Sequence, residues 1–97
     1  EAAMFPRKYA LSNLIAFTDR NLLNATAATE TVMPLEPLVD KWRSFGWDCH
    51  AIDGHSFPEI FAAVQRAQCS TDRPTMIVAN TVKGKGVSFM ENAAVWH

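Results

Sequence analysis

Ninety-seven residues with a net charge of −1, 48% hydrophobic and 20% charged, fit one small globular domain with a modest core. That balance excludes global attraction to nucleic acid or to an anionic membrane. No apolar run approaches the roughly eighteen residues that span a bilayer.

In chain order, "EAAMFPRKYAL" (1–11) predicts a helix, with Pro6 tolerated only in a first turn. "NLIAFTD" (13–19) is a short apolar run of the kind that forms a buried strand. The stretch 20–34, rich in Thr, Ala and Asn, has no period and is expected to be a long loop, of a kind that is usually functional or disordered. Leu35, Leu38, Val39, Trp42 and Phe45 recur at helical spacing, so 35–46 predicts an amphipathic helix stopped by Gly46. "WDCHAID" (47–53) predicts a second strand, ending in the turn signal Asp53-Gly54. Ser56 with Glu59 is a capping box opening a helix over 56–68, with Phe57, Ile60, Phe61 and Val64 as its buried stripe. "PTMIVANTV" (74–82) predicts a third strand, followed by a loop punctuated by Gly84 and Gly86.

Strands alternating with helices imply right-handed crossovers and a parallel sheet, hence an α/β fold with the sheet sandwiched by helices. Ligands of such sheets bind beyond the carboxyl ends of the strands. All three predicted strands end in polar or turn residues: Asp19-Arg20-Asn21, Asp53-Gly54-His55 and Lys83-Gly84-Lys85-Gly86. The functional site is expected along that one edge.

Two readings stand for each of these ends. Asp19 and Asn21 are hard oxygen donors suited to Mg²⁺, or side chains that cap a turn. "KGKG" (83–86) is a phosphate cradle without the P-loop pattern, or a surface loop with solvated lysines. His50 reads as a packed or edge residue of its strand and His55 as part of a turn. His97 ends a loop from which an imidazole reaches a phosphate or a reacting hydroxyl. Phe17, Trp42, Phe45, Phe57 and Phe61 fall on predicted core faces, whereas Phe89 and Trp96 lie in a loop. Cys49 and Cys69 lack metal-ligand spacing, and no signal-peptide order precedes them, so free thiols in a reducing cytoplasm are expected.

Taken together, "NLIAFTDRN" (13–21), "TETVMPLEPLVDKWRSFGW" (29–47), "DGH" (53–55) and "TVKGKGVSFMEN" (81–92) with Trp96-His97 resemble the amino-terminal pyrophosphate-binding domain of transketolase. The order and spacing match over nearly the whole chain. The resemblance implies thiamine diphosphate and a divalent cation, Mg²⁺, held by a Gly-Asp-Gly and by an asparagine at the next strand exit. Asn21 matches that asparagine, and Leu23 matches the residue whose backbone carbonyl reaches the cation. Ala25 matches a position that packs against the cofactor. Glu1 matches a glutamate at the dimer interface near the cofactor, and His97 a histidine near the diphosphate and the substrate.

Several departures accompany the match. The Gly-Asp-Gly would lie upstream of Glu1. Leu22 to Ala27 stand where the family commonly reads Gly-Leu-Gln-Ile-Asp-Gly, so two glycines are replaced. The chain lacks an initiator Met and begins within a predicted helix, so residues 1–97 are expected to be part of a larger domain.

The parent activity implied is ketol transfer between sugar phosphates, with the chain alone expected to be inactive and to bind cofactor weakly or not at all. Its partner would be a pyrimidine-binding domain, from the same enzyme or from a second subunit. The alternatives are the amino-terminal subunit of a split transketolase and a non-catalytic remnant serving as an interaction module, with self-association open to either. The related synthase of deoxyxylulose phosphate shares much of the pattern, but "VSFMEN" (87–92) leans towards transketolase.

Overall fold

The computed structural model describes residues 1–96; His97, and the role expected of it, lie outside the described residues. Three strands, β1 (Ile15–Arg20), β2 (Asp48–Asp53) and β3 (Thr75–Asn80), form a parallel sheet in the order β1-β3-β2. Five of the six β3 residues are buried and only Asn80 is exposed. That profile is the one a central parallel strand requires, with both faces covered.

The connection from β1 to β2 runs through a single-turn helix α2 (Thr29–Val32) and helix α3 (Leu38–Ser44). The return from β2 to β3 runs through α4 (Phe57–Gln68), and α1 (Met4–Lys8) precedes the sheet. Pro6 is the third residue of α1, inside the first turn, where its missing N–H costs no hydrogen bond.

Against one face, Trp47, Cys49, Met76 and Val78 pack with Ala16, Leu38, Val39 and Trp42. The rings of Trp42 and Trp47 meet edge to face, 5.0 Å between centroids. The Trp47 indole N–H donates to the Ala3 carbonyl at 2.7 Å, which ties the amino-terminal segment beside the start of β2. Phe17, Ile77 and His50 are level neighbours on the other face. Cys49 is buried in the core, Cys69 is on the surface, and both are free thiols.

Three expectations about packing are corrected. The buried stripe of α4 is not led by its phenylalanines: Phe57 is 85% and Phe61 64% exposed, while Ala63 and Ala67 are buried and Ile60 and Val64 half-buried. Small alanines let the helix approach the sheet closely, and that rotates the stripe by about one position. Phe17 is 49% exposed because β1 is an edge strand, and Phe45 is exposed because it caps the end of α3. Helix α3 begins at Leu38 rather than Leu35. Residues 35 and 36 have their N–H groups taken by the Glu30 carboxylate instead, and Pro37 sits at the N-cap.

The capping box of α4 is half formed. Ser56 Oγ accepts the Glu59 N–H, but the Glu59 carboxylate reaches past Ser56 to the Asp53 N–H, tying the helix to the end of β2. His50 is both half-buried and on an edge strand, and its ring nitrogens find no partner among the described residues. Burial, and next the nearby Arg66 charge, hold its imidazole below the ordinary value of 6.5.

Candidate functional site

The three strand ends finish level. Arg20 and Asp53 are both in register with Asn80, so the segments that follow emerge side by side from the carboxyl edge. Crosslinks fix them there. The Thr81 hydroxyl donates to Asp19 Oδ1 and the Arg20 guanidinium donates to Asn80 Oδ1 at 3.0 Å, so β1 and β3 are stapled twice. Gly54 N–H donates to the Asn80 carbonyl at 2.7 Å. A Cβ at Gly54 would stand 2.5 Å from Thr81 Cγ2 and 3.0 Å from the Asn80 carbonyl oxygen, so only glycine lets β2 turn this close to β3.

His55 has a defined task in this edge. Asp53 Oδ1 accepts its N–H at 2.8 Å, which forms the expected turn, and His55 Nε2 accepts the Val82 N–H at 2.8 Å. A motif that reads as a simple turn therefore also holds the loop after β3.

Asn21 begins the loop after β1. Its Oδ1 accepts the Leu23 N–H at 2.9 Å, an Asx turn. Residues 22–29 then form a small hairpin: Thr29 N–H donates to the Leu22 carbonyl at 2.9 Å and Asn24 N–H to the Ala27 carbonyl at 2.7 Å. Leu23 and Ala28 are the pair between those two bonds. In such a pair a residue's own N–H and C=O lie outside the ladder and on one side. The Leu23 carbonyl therefore faces the same way as its N–H, which points at Asn21.

The two readings of Asn21 coexist. The amide oxygen completes a turn with one lone pair, and a second lone pair remains. The turn brings the Asn21 amide and the Leu23 carbonyl side by side as two neutral hard donors, a set that fits Mg²⁺ but needs a carboxylate, phosphate or water to complete it. Among the described residues, no cluster of three or more Asp, Glu, His or Cys side chains surrounds a cation position.

The loop departs from glycine at Leu22, which nevertheless adopts φ 64°. A left-handed residue with a Cβ costs about 1–2 kcal/mol, and glycine returns part of that as chain entropy. Leu22→Gly is expected to raise stability by about 0.5 kcal/mol in urea unfolding. A loss of stability would show that the Leu22 side chain matters more than its backbone.

The loop is anchored from its far end as well. The Arg20 guanidinium forms an ion pair with Glu36, whose other oxygen accepts the Leu38 N–H at the start of α3. That N–H first, and then Arg20, hold the Glu36 carboxyl below its ordinary value of 4.5. Glu30 and Glu36 thereby lock 21–38, a function that sequence reasoning did not assign to either carboxylate.

A cleft of about 530 Å³ opens over this edge, lined by Asp19, Asn21, His55, Thr81, Lys83 and Lys85 among others. Leu23 borders a smaller hollow of about 120 Å³ that shares Asp19 and Asn21 with the cleft. Ala25 is exposed at the hairpin tip and lines neither. Glu1 is exposed and lines neither; its carbonyl accepts the N–H groups of Met4 and Phe5, in the segment tied beside the amino edge of the sheet. The structure thus brings Asn21, Leu23 and the "KGKG" lysines to one edge, with Ala25 at the exposed tip of the same loop, while Glu1 belongs to the segment tied to Trp47 at the amino edge. Phe89 and Trp96 stack edge to face on each other, 5.7 Å between centroids.

A parallel α/β sheet with polar strand exits gathered on its carboxyl edge defines a ligand-binding α/β domain. Residues 1–97 match the family described as transketolase, thiamine diphosphate binding domain, and the chain belongs to that family. It is 50% identical over its whole length to the 6-deoxy-6-sulfo-D-fructose transketolase subunit SqwG of Clostridium sp. (strain MSTE9) and spans 35% of that protein. It is 41% identical to an apulose-4-phosphate transketolase subunit from Phocaeicola vulgatus, again over its whole length, spanning 34% of it. The chain thus spans about a third of these curated relatives. Among solved structures, the transketolase of Campylobacter jejuni superposes with a TM-score of 0.91 at 26% identity, over 99% of this chain and 15% of that one. The Pichia stipitis transketolase in complex with sedoheptulose 7-phosphate gives 0.82 at 30% identity, over 88% of this chain and 13% of that one.

Proposed function

We propose that this chain forms the diphosphate and cation half-site of a two-subunit transketolase, which moves a two-carbon ketol unit between anionic sugars. The observation that carries the reading is the turn in which Asn21, at the edge of the cleft, accepts the Leu23 N–H through its side-chain oxygen, so that the Leu23 carbonyl faces the same side. The family supplies the cofactor class, thiamine diphosphate, and Mg²⁺ is the ion suited to this donor set. Thiamine diphosphate, when bound, supplies the carbon nucleophile and electron sink for breaking and re-forming the carbon–carbon bond.

The residues of this chain bind and orient. Asn21 and Leu23 offer two neutral oxygens to the cation, and the missing carboxylate is that of the Gly-Asp-Gly expected upstream of Glu1. Asp19, Thr81 and His55 keep the three strand exits at fixed separation, so the donors need no rearrangement as the cofactor arrives. His97 is assigned a role at the diphosphate or the reacting sugar, and Glu1 one at a subunit contact. Ala25 would leave more room against the cofactor than the larger side chain common there.

A separate pyrimidine-binding subunit is favoured over a single long chain because the relatives matched at 50% and 41% identity are both called subunits. One of those relatives is named for a sulfonated sugar and the other for a sugar phosphate, so the sugar proposed here carries a phosphate or a sulfonate. Residues 1–97 alone are expected to give no ketol transfer, whereas the protein containing them, mixed with its pyrimidine-binding subunit, thiamine diphosphate and Mg²⁺, is expected to give turnover. Activity from the 97 residues alone, or none from the mixture, would contradict the half-site reading.

A further inference from the structure

We propose that His50 is an acid-sensitive latch between β2 and α4: on taking up a proton it releases α4 from the sheet, and with α4 the exit of β2. The latch goes beyond the half-site reading and stands without it. His50 lies in the middle of β2, level with the fully buried Ile77 of β3. With Ile52 it lines a cleft of about 260 Å³ together with Glu59, Ala62, Ala63 and Arg66 of α4. Both ring nitrogens are shut off from solvent and meet no hydrogen-bond partner among the described residues. A neutral imidazole leaves one N–H donor unpaired there, whereas an imidazolium leaves two and adds a charge. The docked arrangement has room for the ring but none for its second proton.

The charges around the ring do not offset that cost. Arg66 of α4 repels the proton, and so does Arg43 of α3, which is fixed by donating its Nε–H to the Cys49 carbonyl at 3.0 Å. Asp48, two residues back on β2, attracts the proton, but its carboxylate already faces Arg66 at 3.4 Å. The Glu59 carboxylate is taken by the Asp53 N–H, and β3 presents the apolar Ile77. Burial first, and then Arg66, keep the docked ring neutral. Docking of α4 is therefore at full strength above the ordinary imidazole value of 6.5. It is lost as pH falls below that value, because the undocked form takes up the proton first. The release reaches the carboxyl edge through Glu59: its carboxylate holds the Asp53 N–H, Asp53 Oδ1 holds the His55 N–H, and His55 Nε2 holds the Val82 N–H.

The test is amide hydrogen exchange read by mass spectrometry on the enzyme that contains this chain, with rates corrected for the intrinsic effect of pH. In the wild type, exchange of the α4 amides is expected to rise about three-fold or more between about pH 7.5 and about pH 5.5. The ceiling is about ten-fold, since one proton taken up only by the open form multiplies its population by no more than that per pH unit. The β3 amides, at the centre of the sheet, should show no such rise. His50→Leu, which cannot titrate, should abolish the rise in α4, and His50→Gln gives a second non-titrating variant should His50→Leu unfold. A wild type whose α4 exchange ignores pH would overturn the latch. So would a rise that survives in the folded variant, or an equal rise over β3, which would mark general loosening of the domain.

Discussion

Asn21→Ala, made in the enzyme that contains this chain, is expected to weaken Mg²⁺-dependent thiamine diphosphate binding by about a hundred-fold or more. Loss of groups that merely orient metal ligands costs about 10–100-fold, and the half-site reading makes Asn21 a ligand itself. The substitution also removes the acceptor of the Leu23 N–H, so the carbonyl that shares that turn loses its fixed direction. Asn21→Asp separates the two effects. It keeps an oxygen for the Leu23 N–H and offers the cation a carboxylate, so binding is expected to persist within about ten-fold of the wild type while Asn21→Ala fails. Titration of the cofactor at saturating Mg²⁺ reads the difference. Equal binding by wild type and Asn21→Ala would remove Asn21 from the site.

The largest effect on stability is expected at Ile77. Its side chain is fully buried in the middle of the central strand, between Phe17 of β1 and His50 of β2 on the same face. Ile77→Ala should cost about 2–5 kcal/mol, enough to unfold a domain of this size in mild denaturant. Phe57→Ala, at a residue 85% exposed, should cost under about 0.5 kcal/mol by comparison. Urea unfolding of the pair checks the assignment of the core. A larger loss at Phe57 would mean that the outer face of α4 is covered by something that the fold of these residues does not include.

The contrast between those two positions shows what was legible in the sequence. The three strands, their parallel order and the gathering of their exits on one edge followed from alternation of apolar runs with helical periods. Those signals are set within each segment. The face of α4 was misread because hydrophobicity ranks phenylalanine above alanine, whereas the sheet admits a helix closely only where side chains are small. Local pattern carries no information about that distance. The start of α3 was misread for a related reason: Leu35 fits the helical spacing, but the Glu30 carboxylate captures its N–H from five residues away.

At the site, the family resemblance singled out Asn21 and Leu23, and the structure joins them through the Leu23 N–H donated to Asn21 Oδ1. His55, Thr81, Arg20 and Glu36 were not assigned their present tasks. Each works through a partner distant in sequence, such as Val82 for His55 and Asp19 for Thr81. A single sequence does not pair such residues until the strands are laid side by side. At Leu22, where the family commonly has glycine, a side chain sits in the left-handed conformation, and that raises the cost of the loop.

The measurement that bears most directly on the half-site is an anomalous-scattering crystal structure of the enzyme with thiamine diphosphate and Mn²⁺ in place of Mg²⁺. One Mn²⁺ peak is expected at about 2.0–2.3 Å from both Asn21 Oδ1 and the Leu23 carbonyl oxygen, with the diphosphate in the cleft bordered by Lys83. A cation bound away from the carboxyl edge of the sheet, or a diphosphate held without either donor, would contradict the half-site.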